Sequence, residues 1–109
     1  MAAKVDETFF MLNALWFKED GGAEKYREYL KAAGPIVAKY GGKGLDAYHP
    51  SESIIGTFDA DLVFFVRWPS WAVFEKFVAD AEYVKIRHLR EEAITKSLLI
   101  RCEAVKRGE

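Results

Sequence analysis

Tyr83, Arg87 and Arg90 are spaced i, i+4 and i+7. On a helix those positions lie along one face, so a phenol and two guanidiniums would point the same way. Each guanidinium presents a planar fork of donors that suits a carboxylate or a phosphate. The same arginines could instead pair with Glu82, Glu91, Glu92 or a neighbouring subunit and hold the fold together. Asn13 and Arg67 are the other polar groups of interest, because each interrupts an apolar run, TFFMLNALWF from Thr8 and LVFFVRW from Leu62. A buried amide or guanidinium must be hydrogen-bonded or it costs several kcal/mol. The two either line a cavity or bond to each other or across subunits.

Tyr48 and Asp46 sit on a short strand from which they could reach a pocket mouth. His49 and His88 have no partner at metal or triad spacing, and both read as surface residues. Cys102 is the sole cysteine, which leaves no intrachain disulfide and no thiolate cluster. It reads as a small core residue. No metal site is expected.

The elements that must position these groups follow from periodicity. Thr8 to Phe17 reads as a first strand. From Ala23 to Tyr40, the residues Tyr26, Tyr29, Leu30, Ala33, Val37 and Tyr40 recur at helical spacing as one apolar stripe. Gly34-Pro35 predicts a kink near residues 31–35, and Gly41-Gly42 predicts the helix stop. Gly44 to Tyr48 reads as a short second strand, broken at His49-Pro50 and resumed over Ile54 to Phe58. Leu62 to Trp68 is the third strand. Ser70 is the expected N-cap of a helical segment carrying Phe74, Phe77 and Val78. A second helical segment runs from about Glu82 to Ile94, with the break near Asp80-Ala81, and Lys96 to Lys106 is the last strand. The order βαββαβ predicts an α+β ferredoxin-like sandwich with a four-stranded antiparallel sheet. A single domain over residues 1–109, with an ordered core of about 8–106, accommodates it.

Helices on one face of such a sheet should leave strands that alternate apolar with polar. The first and third strands do not. Phe9, Met11, Leu15 and Phe17 oppose Phe10, Leu12, Ala14 and Trp16; Leu62, Phe64, Val66 and Trp68 oppose Val63 and Phe65. Leaving a large apolar side chain in water forgoes roughly 1.5–3 kcal/mol. Several together approach the whole stability of a domain. A second copy packed sheet to sheet covers that face; the alternative is that helices and the His49–Phe58 segment wrap over it.

Sixteen basic residues against seventeen acidic give a net charge of −1. That balance argues against a nucleic-acid partner, which needs concentrated positive charge. The chain begins Met1-Ala2-Ala3-Lys4-Val5-Asp6-Glu7, with acids where a secretory leader would be apolar. Its longest apolar run is far short of the roughly 20 residues that span a bilayer. A cytoplasmic chain with no membrane partner is expected.

The combination Tyr26-x-x-Tyr29, Pro35, Tyr40-Gly41-Gly42, Arg67-Trp68-Pro69-Ser70 and Glu82-Tyr83-x-x-x-Arg87-x-x-Arg90 resembles a bacterial family, domain of unknown function 1330, of the dimeric α+β barrel superfamily. The resemblance spans about Phe9 to Val105. It implies a homodimer whose two sheets form one barrel. Where the family carries L-E-G this chain has Ile54-Ile55-Gly56, and its S-P-E-Y is Asp80-Ala81-Glu82-Tyr83. Related haem-degrading enzymes pair a first-strand asparagine with a helical tryptophan and histidine. Asn13 matches the asparagine, but Arg87 stands at the histidine position and Phe77 near the tryptophan, so no haem and no other cofactor is expected. Two functions remain open from the sequence. One is a dimer binding a small anionic or aromatic metabolite between sheet and helices, with Asn13, Arg67, Tyr83, Arg87, Arg90 and Tyr48 as candidate contacts. The other, by superfamily analogy, is a cofactor-free enzyme of monooxygenase or isomerase type.

Overall fold

The structure, a computed structural model, describes residues 7–106. The elements run β1 (Phe9–Phe17), α1 (Gly22–Lys39), β2 (Lys43–Tyr48), β3 (Leu62–Trp68), α2 (Trp71–Ala79), α3 (Ala81–Ala93) and β4 (Ile94–Cys102). The four strands form one sheet in the order β2-β3-β1-β4, every pair antiparallel. This is the expected ferredoxin-like arrangement with its second helical segment divided in two.

Local chemistry explains where the elements stop. Beyond Lys39 the chain closes a Schellman turn: Gly42 N–H donates to the Val37 carbonyl at 2.9 Å and Gly41 N–H to that of Ala38 at 3.0 Å. Gly41 holds φ at 76°, the left-handed region that favours glycine. Gly42 is needed for a different reason, since a Cβ there would come within 2.6 Å of Val37 and 2.9 Å of the Trp68 ring. Ser70 caps α2 by accepting from Val73 N–H at 3.2 Å, as its place after Pro69 predicts. Asp80 splits the helical segment. Its extended backbone ends α2, while its carboxylate accepts from the N–H groups of Glu82 (2.8 Å) and Tyr83 (3.2 Å) to start α3.

α1 runs through Pro35 as one helix, as its stripe predicts; Gly34 before it has no Cβ to collide with the proline ring. Two expectations change. No strand forms over 54–58. That segment is a loop pinned by Ser53, whose hydroxyl accepts from Phe58 N–H at 3.1 Å, and by His49 Nδ1 against the Asp61 carbonyl at 2.9 Å. β4 starts and ends earlier than expected, because Ile94 follows α3 without a connecting loop.

The core lies between one face of the sheet and the helices. Phe9, Met11, Leu15 and Trp68 meet Tyr26, Tyr29, Ala33, Phe77, Tyr83 and Ala93 there, with Phe64, Val66 and Phe74 packed against them. An aromatic chain runs through it: Trp68 is 4.9 Å from Phe77 and Phe77 4.3 Å from Tyr83, centre to centre. Phe10, Leu12, Trp16, Val63, Phe65 and Leu98 take no part in this core. They form the opposite face, where register pairs Leu12 with both Phe65 and Ile100. The His49–Phe58 segment touches that face through Phe58, whose ring lies 5.6 Å from that of Trp16. Its Ile54 and Ile55 stand almost fully in solvent, so the loop does not wrap the face.

Candidate functional site

A cavity of about 170 Å³ opens between the sheet and the helices. Its walls come from β1 (Met11, Asn13), β3 (Phe64, Val66, Trp68), α1 (Tyr26, Tyr29, Ala33), α2 (Phe74, Phe77) and α3 (Tyr83, Arg90). Leu30, Val78 and Leu99, which also border it, are more than a third exposed and mark its mouth. The apolar walls are those that strand alternation and the helical stripes turn inward.

The polar groups have definite partners. Asn13 is buried on the sheet floor, opposite Phe64 on β3 and Leu99 on β4. Its amide donates to the Met11 carbonyl at 3.2 Å, a bond within its own strand. Tyr29 and Tyr83 share a hydrogen bond of 3.0 Å between their hydroxyls. Burial pushes the Tyr29 phenol well above its usual range, and Tyr83 beside it adds to the rise. Burial raises Tyr26 as well, with the guanidinium charge of Arg90 pulling partly the other way. Both phenols therefore stay protonated across ordinary pH. Arg90 Nη2 is buried with no hydrogen-bond partner, and Arg90 makes no ion pair among the described residues.

Of the six sequence candidates, Asn13, Tyr83 and Arg90 come together on the cavity wall and three do not. Arg87 is exposed. A step of four residues turns a helix 40° past a full circle, and on α3 that carries Arg87 out of the stripe Tyr83, Ile86, Arg90, Ala93 that faces inward. Arg67 is also exposed, on the opposite face of the sheet, in register with Phe10 and with Lys43 of the edge strand β2. It can neither meet Asn13 nor enter the cavity. Tyr48 is 63% exposed on that same edge strand. Cys102 is half-buried on the opposite face, in register with Phe10, rather than in the core. Tyr26 and Tyr29 also line the cavity, although the sequence places them in an apolar stripe and a family motif and not among the candidate contacts. The available signal was their type: a stripe of tyrosines, where leucine would pack as well, brings hydroxyls that need partners. Among the described residues no three His, Cys, Asp or Glu side chains gather where they could hold a metal. No helix among them is long and apolar enough to cross a membrane.

Sheet order, helix placement and the cavity between them define a ferredoxin-like α+β protein. The chain belongs to the family described as domain of unknown function 1330, whose model matches residues 20–102. A solved protein of unknown function from Rhodopseudomonas palustris is 28% identical, covering 96% of this chain and 88% of its own, with a TM-score of 0.86. More distant in sequence is a dabb family protein with a ferredoxin-like fold from Mesorhizobium loti. It is 14% identical over 92% of this chain and 99% of its own, with a TM-score of 0.66. A Bacteroides fragilis protein described as dimeric, of unknown function and ferredoxin-like fold, is 8% identical over 89% and 96%, with a TM-score of 0.64. No curated protein matches the chain.

Proposed function

We propose that this chain works as a homodimer joined sheet to sheet, and that each copy holds a small anionic or aromatic molecule between its sheet and its helices. The observation that carries the binding role is the cavity itself. It is an apolar chamber with a few convergent polar groups, Asn13, Tyr29, Tyr83 and Arg90, set on elements rather than loops. The dimer is supported by the apolar sheet face that no helix covers, and by the Bacteroides fragilis relative being described as dimeric.

Binding is favoured over catalysis because two of the phenols on the wall, Tyr26 and Tyr29, are held above their usual range by burial. A general base works best with a pKa near the operating pH, and Tyr26 and Tyr29 are moved away from it. Screening the labelled protein by NMR against a mixture of small anionic and aromatic fragments tests the reading. Shifts should concentrate at Ala33, Val66 and Leu99. A screen in which no fragment perturbs these residues would overturn it.

A further inference from the structure

Among the described residues Arg90 is the one charged side chain on the cavity wall; the other lining residues are apolar, aromatic, or carry neutral amide and phenol groups. A buried charge without a partner is costly, and removing it from water is offset only by a counter-charge with good geometry. Arg90 is half-buried, its Nη2 is buried without a partner, and among the described residues no carboxylate reaches the guanidinium; its one side-chain hydrogen bond is to the neutral phenol of Tyr26. The groups around it do not supply a counter-charge. Tyr26 and Tyr29 lie close enough to Arg90 and to Tyr83 to interact electrostatically, and all three are phenols. Each can donate one hydrogen bond, and the Tyr29–Tyr83 pair uses only one of its two protons internally. That end of the cavity thus offers a cation and spare donors.

The rest of the chamber is apolar, with four aromatic rings among aliphatic side chains. Phe64, Trp68, Phe74 and Phe77 line it, with Met11 and Val66 on the strands below. A volume of about 170 Å³ is close to the roughly 150 Å³ apolar cavity that admits a benzene ring, which limits the occupant to one ring and a small head group. One guanidinium balances one negative charge, whereas a phosphate monoester brings close to two.

We infer that the cavity takes a single-ring monocarboxylate, its carboxylate on Arg90 and its ring among Phe64, Trp68 and Phe77. This rests on the small-molecule reading of the same cavity and replaces "anionic or aromatic" by both on one molecule. Titration calorimetry of the whole chain with sodium benzoate, benzamide and sodium acetate separates the two levels. Benzoate should bind at least tenfold more tightly than benzamide, which keeps the ring without the charge, and than acetate, which keeps the charge without the ring. In Arg90→Gln, with its circular dichroism unchanged, the preference for benzoate over benzamide should disappear. Should that variant fail to fold, the wild-type ranking alone decides. Equal affinity for benzoate and benzamide would overturn the carboxylate assignment and leave the cavity as an aromatic site. Equal affinity for benzoate and acetate would overturn the ring. Absence of binding by all three, with no NMR shift at Ala33 or Val66 from any fragment, would remove both the inference and the reading beneath it.

Discussion

The hydroxyls of Tyr29 and Tyr83 lie 3.0 Å apart and tie α1 to α3 across the wall of the cavity. The two rings meet edge to face, with centres 6.3 Å apart, so the contact combines packing with a directed bond. Since both side chains are nine-tenths buried or more, neither hydroxyl can turn freely to bulk water.

Tyr83→Phe should therefore destabilise the fold by about 1 kcal/mol, the net worth of a buried hydrogen bond, and Tyr29→Phe by a similar amount. The double variant should lose less than the sum, because the second change removes a group already without its partner. Urea unfolding of the four proteins measures this. Strict additivity would show that the 3.0 Å contact contributes nothing of its own.

Two glycines should respond in opposite directions to alanine. At Gly22, where α1 begins, a Cβ would sit 2.6 Å from the Ala93 carbonyl oxygen and 3.1 Å from Phe17 Cβ. That carbonyl already accepts from Lys18 N–H at 2.9 Å, so it is not free to move aside. Gly22→Ala should cost on the order of 1–3 kcal/mol, as overpacking does, despite alanine's better helix propensity. Gly44 on the edge strand has nothing within 4 Å of its added Cβ, and Gly44→Ala should gain roughly 0.5–1 kcal/mol through the unfolded chain. Thermal unfolding of both variants decides the signs.

Asp80 gives the fold an acid-sensitive joint. Its carboxylate accepts from Tyr40 Oη at 2.7 Å and from Lys39 Nζ at 3.2 Å while it caps α3. The Tyr40 hydrogen bond leads, with Lys39 and the two backbone donors behind it, in lowering the pKa to about 2. An unfolded aspartate titrates near ~3.9. A depressed folded value means that the stabilisation is complete above the unfolded pKa and is lost as pH falls towards the folded one. Wild type should thus melt higher than Asp80→Ala at pH 7, and the difference should shrink as pH falls from about 4 to about 2. A melting difference that stays constant over that window would remove the charge from the account.

Most of the architecture was legible because it rests on local rules: the tyrosine and alanine stripe of α1, the Gly41-Gly42 stop, the Ser70 cap and the Asp80 break each act within a few residues. What the sequence could not show was which neighbours a side chain meets across elements. Asn13 and Arg67 look alike as polar interruptions of central strands, yet strand parity sends one to the cavity and the other to the opposite face. Arg87 and Arg90 look alike on α3, and 60° of helical rotation separates a solvated arginine from one on the cavity wall. The loop over 54–58 has strand-forming residues, but Phe58 packs on Trp16 while Ile54 and Ile55 stay in solvent. In each case tertiary placement overrode a local pattern.

The face carrying Leu12 and Phe65 supplies the last prediction. These two residues are paired in register at the centre of the sheet, with Ile100 next to Leu12 on the far side. Phe10, Trp16, Val63 and Leu98 surround them, each half-buried by its neighbours within the sheet and covered by no helix. Exposed contiguous apolar surface of this kind is uncommon on a monomer, and an interface buries its most apolar residues at its centre. Phe65→Glu would place a charge there, where two copies related by a two-fold axis bring it close to its own counterpart. Light scattering at micromolar concentration should give twice the chain mass for wild type and the single chain mass for Phe65→Glu. Far-ultraviolet circular dichroism should stay the same, because Phe65 lies outside the core between sheet and helices. Wild-type protein that scatters as one chain would remove the dimer, whereas a Phe65→Glu variant that still dimerises would move the interface elsewhere on the molecule.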